Sequence, residues 1–152
     1  MEEFLTTVPT DWLDYNGHMN VAYYFKVFEE SSVQLWNSLD IGAQYAKREN
    51  YSMEIKETHI QFIEEAHLGD VLRIESRVYI VGESDILVGQ EMFCDLQLLC
   101  RMEHLDCNVD HRNGNISPFE KKTLEKIKIA CVESPKVHPE WIGRSVKMQN
   151  SR

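Results

Sequence analysis

Long apolar runs are missing from this chain of 152 residues. No stretch approaches the roughly 18 consecutive apolar residues that a membrane-spanning helix needs. Cysteine is sparse, and Cys94, Cys100, Cys107 and Cys131 contain no CxxC pair. A disulfide framework needs a secreted context that the sequence does not supply, and the four read as reduced, mostly buried thiols. Positive charge is in deficit: 16 Lys and Arg face 25 Asp and Glu, a formal net charge of -9. No basic face remains for a nucleic-acid backbone, although a few local lysines and arginines could still hold a phosphate-bearing ligand. The opening "MEEFLTTVPTDW" is acidic and lacks the apolar core of a signal peptide. A cytoplasmic protein is expected.

What is present is ordinary globular composition with clear periodicity. Residues 4–12 read as a short strand or extended arm punctuated by Pro9. From 21 to 39, Val21, Tyr24, Phe25, Phe28, Ser32, Leu35, Trp36 and Leu39 recur every three or four residues. That spacing predicts a long amphipathic helix, capped by Asn20 and closed by Gly42. A shorter helix is expected over 43–48. The period then becomes two: in "VLRIESRVYIV", Leu72, Ile74, Ser76, Val78 and Ile80 alternate with Arg73, Glu75, Arg77, Tyr79 and Val81. "GESD" is a turn, 86–94 repeats the alternation as the second arm of a hairpin, and a further strand is expected within 96–109. "ISPFEKKTLEKIKIA" predicts a helix with Ser117 as N-cap, Pro118 at its first position and Glu120 completing a capping box. The expected class is α+β: a long central helix wrapped by a curved antiparallel sheet. One domain is expected over 1–131, followed by a partly ordered tail over 132–152 in which Trp141 docks.

The chemically dense stretch is "DYNGHMN", Asp14 to Asn20. A turn plus a helix cap explains Asn16, Gly17 and Asn20. It leaves Asp14 and His18 without a reason, and likewise the aromatics Trp12, Tyr15, Tyr23 and Tyr24 around them. A carboxylate beside a helix N-terminus can attack an activated acyl carbon or deprotonate water, while free N–H groups stabilise the oxyanion. No GxSxG elbow offers a serine instead. The aromatics suggest part of a box for a quaternary ammonium group. "EHLDCNVDH" brings His104, Cys107, Asp110 and His111 close in sequence, but a strand would send His104 and Cys107 to opposite faces, so no metal is expected there.

"DYNGHMNVAYYFKVFEE" and "ETHIQFIEEAHLGDVL" resemble the opening signature and second strand of hot-dog-fold acyl-CoA thioesterases of the 4-hydroxybenzoyl-CoA thioesterase superfamily. The likeness covers about residues 5–130 and is similar to the branch with betainyl-CoA thioesterases, some fused to carnitine dehydrogenase. It implies a hot-dog fold, assembly as a homodimer or homotetramer, and hydrolysis of a small acyl-CoA, with a cationic acyl group in this branch. Coenzyme A would enter as part of the substrate, with no separate cofactor. By the same likeness Asp14 is the catalytic carboxylate, as nucleophile or base. Asn16, Gly17, His18 and Asn20 shape the turn and helix start, and Tyr23 and Tyr24 border them. Ser52 and Met53 supply amides towards the thioester carbonyl, and Glu57 and His59 line the opposite wall from across a subunit interface. Two departures stand out: Val21 sits where some relatives carry a histidine, and "VGESDILVG" lacks their basic cluster for CoA phosphates. Arg73, Arg77 or the lysines of 121–128 would have to replace it. A non-catalytic acyl-CoA or acyl-carrier binding protein is the alternative, and a hot-dog dehydratase fits the acid motif least.

Overall fold

The computed structural model describes residues 1–132, 135–144 and 146. The chain runs β1 (Glu2–Thr7), α1 (Val21–Ser38), α2 (Ala43–Glu49), β2 (Tyr51–Phe62), β3 (Val71–Val81), β4 (Asp85–Cys94), β5 (Gln97–Asp110), β6 (Asn115–Ile116) and α3 (Lys121–Val132). A single 3-10 turn at Thr10–Trp12 precedes the site loop. The strands form one antiparallel sheet in the order β1-β3-β4-β5-β2, with β6 paired to the end of β5. The sheet wraps α1, as the hot-dog expectation requires, and buries Tyr24, Val27, Phe28, Leu35 and Trp36 against it.

Asn20 caps α1 as its sequence position implies, its side chain accepting from Ala22 N–H at 3.0 Å. The other end differs from expectation. Leu39 is the C-cap and Asp40 takes the left-handed conformation (φ 58°) expected of Gly42. Ile41 N–H then reaches Trp36 C=O at 2.9 Å and Asp40 N–H reaches Asn37 C=O at 3.2 Å, the paired bonds of a Schellman cap. Gly42 instead starts α2.

Two further expectations are corrected. The register of β3 shifts between Val78 and Ile80, so Ile80 turns outward (47% exposed) and Val81 packs against the core in its place, while Tyr79 keeps its predicted face and is buried there. The last helix starts at Lys121, not after Ser117. Residues 117–119 stay extended because Ser117 N–H bonds Asn108 C=O, Phe119 N–H bonds Glu83 C=O, and Phe119 is buried. Tertiary partners there outcompete a local capping box.

The segment after α3 returns over the sheet face opposite α1. Trp141 is buried against Tyr79, with ring centroids 6.2 Å apart and the Arg101 guanidinium 5.4 Å over its ring. Gly89 makes room for it: a Cβ there would meet Ile142, Tyr79 and Trp141 at 2.6 to 2.8 Å. Residues 133, 134, 145 and 147–152 lie outside the described residues, so the expected partly ordered tail falls partly among them. No helix among the described residues is long and apolar enough to cross a membrane.

Candidate active site

Asp14 sits in the loop between the 3-10 turn and α1 and closes that loop on itself. Its Oδ1 accepts from Asn16 N–H at 2.9 Å and His18 N–H at 3.2 Å, while Asp14 N–H reaches His18 C=O at 2.8 Å. Gly17 supplies the positive φ (76°) that the turn needs and donates to Asp14 C=O at 3.0 Å. Asn20 N–H bonds Trp12 C=O at 2.8 Å, and Met19 N–H bonds Ala66 C=O at 3.1 Å, fastening the loop to the chain beyond β2. Tyr24 completes the fastening by accepting from Ala66 N–H at 2.9 Å. Burial raises the Tyr24 phenol above its ordinary range, so it stays protonated.

Asp14 is half-buried in a cleft of about 470 Å³ that it shares with His18, Met19, Val21, Tyr24 and Phe62. Oδ2 of Asp14 takes no hydrogen bond among the described residues, so one oxygen positions the group and the other is uncommitted. At the helix start, Ala22 N–H is taken by the Asn20 side chain and Tyr23 N–H by Asn20 C=O at 3.0 Å. The Val21 N–H has no acceptor among the described residues and lies at the wall of the same cleft. It is the first-turn donor left over for a ligand oxygen.

His18 points to the cleft rim: its Nδ1 is 3.0 Å from Glu65 and its ring meets His67 edge-on at 5.6 Å. One donor atom from each of His18, Glu65 and His67 lies within 4.8 Å of the other two. Glu65 and His67 are exposed, and the contacts are those of a polar side-chain pair and a ring pair.

Within one protomer the remaining sequence-predicted residues do not join this cleft. Thr58 pairs with His104, whose ring meets Trp36 of α1, so Glu57 and His59 face the other side of the sheet by alternation. There they border a separate pocket of about 300 Å³, where His59 Nδ1 is 3.5 Å from Glu103 and Gly143 N–H donates to Glu103 at 2.5 Å. Ser52 and Met53 border a groove along the far half of α1, and the Ser52 hydroxyl is bonded to His111 at 2.6 Å. The expected aromatic box is not assembled either. Trp12 and Tyr23 stack on each other at 5.3 Å, Lys26 already lies 5.3 Å over Trp12, and Tyr15 is 96% exposed. Tyr24 is buried in the core.

Beneath α1 lies a polar network that the pattern reading did not anticipate. His104 Nδ1 bonds Asp106 Oδ2, and His104 Nε2 is 3.3 Å from Ser32 Oγ. Gln90 bridges Ser32 and Ser76 at 3.3 and 2.9 Å. The Ser-His-Asp order invites a nucleophilic reading, but Ser32 is 1% exposed and its hydroxyl donates to Phe28 C=O at 3.0 Å. It is a buried core network. The available signal was the polar run "EHLDCNVD" inside a central strand, where apolar residues are the norm.

The geometry can now be set beside known proteins. The profile of the thioesterase-like superfamily matches residues 8–127. The chain belongs to that superfamily. The betainyl-CoA thioesterase of Pseudomonas aeruginosa is 26% identical over 96% of this chain and 96% of its own. The L-carnitine dehydrogenase/betainyl-CoA thioesterase of Ruegeria pomeroyi is 26% identical over 92% of this chain, which spans only 29% of that relative. A Staphylococcus aureus protein solved in complex with CoA superposes with a TM-score of 0.89 at 18% identity, covering 97% of this chain and 94% of its own. That last likeness establishes the fold alone. In superfamily terms the Asp14 loop and the start of α1 stand at the front of the matched region.

Proposed function

We propose that this thioesterase-superfamily chain hydrolyses an acyl-CoA thioester to the free acid and CoA, with Asp14 as the reacting carboxylate. The observation that carries the reading is the asymmetry of that group, which lines the cleft at the start of α1: Oδ1 is held by two backbone N–H groups while Oδ2 has no hydrogen-bond partner among the described residues. Acting as base, Asp14 takes a proton from water, whose oxygen adds to the thioester carbon. Collapse breaks the C–S bond, and the CoA thiolate leaves and is protonated. Acting as nucleophile, the carboxylate displaces the thiolate itself, and water then opens the resulting anhydride. In either route the Val21 N–H at the wall of the same cleft serves as an oxyanion donor, a contact of the kind that contributes about 3–4 kcal/mol. CoA belongs to the substrate, and the route draws on no separate cofactor.

A homodimer fits the exposed surface. β2 is a sheet edge, and Val21 (64%), Val33 (46%), Phe62 (51%) and Ile63 (43%) leave apolar area uncovered beside it. The start of α1 lies beside the end of β2, and the later turns of α1 lie beside its beginning, so the two run antiparallel. Pairing two β2 edges about a twofold axis would set each Asp14 against the partner's Ser52–Ile55 stretch. That arrangement would reunite Asp14 with Ser52 and Met53 across an interface.

Thiol release measured over short, aromatic, long-chain and cationic acyl-CoAs tests the proposal. Asp14→Asn should cut release by about 10²–10⁴ from every substrate the wild type turns over while retaining binding. Binding without release by the wild type would point to an acyl-CoA binding protein instead.

A further inference from the structure

We infer that His18, Glu65 and His67 form a binding site for one divalent transition-metal ion of the zinc class, and that the ion clips the Asp14 loop to the segment after β2. Alternation along two paired segments brings the three side chains together. Met19 and Ala66 are buried, and Met19 N–H bonds Ala66 C=O at 3.1 Å. Their neighbours therefore point outward, His18 from one segment and Glu65 and His67 from the other. His18 and His67 are bridge partners in antiparallel register, so their side chains leave the same face directly opposite each other.

The spacing suits a small ion. Around a four-coordinate ion with bonds of about 2.1 Å, ligand atoms stand roughly 3.4 Å apart. His18 Nδ1 lies 3.0 Å from Glu65 Oε2, and one donor atom from each of the three residues lies within 4.8 Å of the other two. Rotation of side chains closes the longer gap, and the Glu65 and His67 side chains are more than half exposed and free to turn. The backbone behind them is fixed. Gly69 N–H bonds Val8 C=O at 3.0 Å, Asp70 N–H bonds His67 C=O at 3.1 Å, and His67 N–H bonds Asp70 Oδ2 at 2.8 Å. The Asp70 carboxylate is also 3.8 Å from His67 Nδ1. It stands where an outer carboxylate commonly orients a ligand histidine.

The donor set selects the ion. Two imidazoles and one carboxylate suit zinc, cobalt, nickel or copper, whereas magnesium and calcium take oxygen ligands throughout. Three protein ligands leave one coordination position for water. All three residues line the cleft that holds Asp14, so a bound ion borders that cleft. His18 N–H also holds Asp14 Oδ1 at 3.2 Å, so fixing His18 steadies the loop that presents the carboxylate. A single protomer supplies every ligand. The site therefore depends neither on subunit pairing nor on the thioesterase reading.

The test uses the untagged full chain stripped with EDTA and titrated calorimetrically with zinc. The expected result is one equivalent bound per chain with micromolar or tighter affinity, and saturating zinc should raise the melting temperature by roughly 5 °C or more. His67→Ala and Glu65→Gln should each weaken zinc roughly tenfold or more and remove the thermal shift. His18→Ala should do the same, and the two exposed positions decide the matter if it does not fold. Cobalt bound in place of zinc should show a four-coordinate visible spectrum without a sulfur-to-metal charge-transfer band. No binding by the wild type, binding unchanged in His67→Ala and Glu65→Gln, or equal affinity for magnesium overturns the proposal. A sulfur band overturns it too, because it would place the ion on a cysteine such as Cys94 or Cys131, both half-buried thiols.

Discussion

Asp14 and His18 are joined by two hydrogen bonds, one between backbones, Asp14 N–H to His18 C=O at 2.8 Å, and one from His18 N–H to the Asp14 side-chain Oδ1 at 3.2 Å. The carboxylate is thus both a turn-former and the cleft's free acid. The two roles can be separated by substitution. Asn retains an oxygen for the N–H groups but has no charge to offer, so Asp14→Asn should cut turnover by about 10²–10⁴ with little change in melting temperature. Asp14→Ala should lose turnover and about 1 kcal/mol of stability. Thiol-release kinetics and thermal melts of both variants check this.

The route of hydrolysis leaves an isotopic record. A single turnover in H₂¹⁸O should place ¹⁸O in Asp14 if the carboxylate attacks and water then opens the anhydride at the Asp14 carbonyl. It should place ¹⁸O only in the product acid if water attacks the thioester or the acyl carbonyl of the anhydride, so label in Asp14 identifies the nucleophilic route. Mass spectrometry of the peptide containing Asp14 detects it.

Asn20 joins the loop to the helix by one side-chain bond to Ala22 N–H. Asn20→Ala should cost about 1 kcal/mol, roughly 2–4 °C in melting temperature for a domain of this size. Asn20→Asp should keep most of that stability, since Asp caps equally well.

The tail's position depends on a missing side chain. Gly89→Ala would drive a methyl group into Tyr79, Trp141 and Ile142. The expected outcome is release of Trp141 from the sheet, read as a red shift in tryptophan emission and faster proteolysis after α3. Unchanged emission would show that the packing adjusts around the methyl group.

Asp110 and Arg112 pair through the turn that follows β5, and the Arg112 side chain holds the Asp110 carboxyl below its ordinary range. A lowered folded-state value stabilises above the unfolded carboxylate range and is lost as pH falls through the folded value. Arg112→Ala should therefore lower stability at neutral pH, and the difference from wild type should vanish under strongly acid conditions. Urea denaturation at neutral pH and near pH 2 provides the comparison. By contrast, burial pushes the Cys100 thiol up to about 12, so thiol reagents should spare it in the folded chain.

Local chemistry made much of this protein legible. The α1 face, the Asn20 cap, the β3–β4 hairpin and the Asp14 loop all rest on contacts between residues close in sequence, which spacing and side-chain type encode directly. The readings that failed were those in which a distant partner overrode a local preference. Phe119 gave up its predicted helix for a bond to Glu83 and a place in the core. Ile80 left the core face because the strand bulges at Tyr79, and Tyr79 is buried because Trp141 covers it on the other face.

The sequence by itself determined the helix around which the sheet curls and the acid that precedes it, because a helix stripe, a turn and a cap are short-range patterns. Only the tertiary structure decided which oxygen of Asp14 has no hydrogen-bond partner among the described residues, that Glu57 and His59 turn away from it, and that Asp106 is buried in the network beneath α1. The last two depend on strand register, which is set by pairings between residues far apart in the chain, and the first on how the folded loop presents the carboxylate.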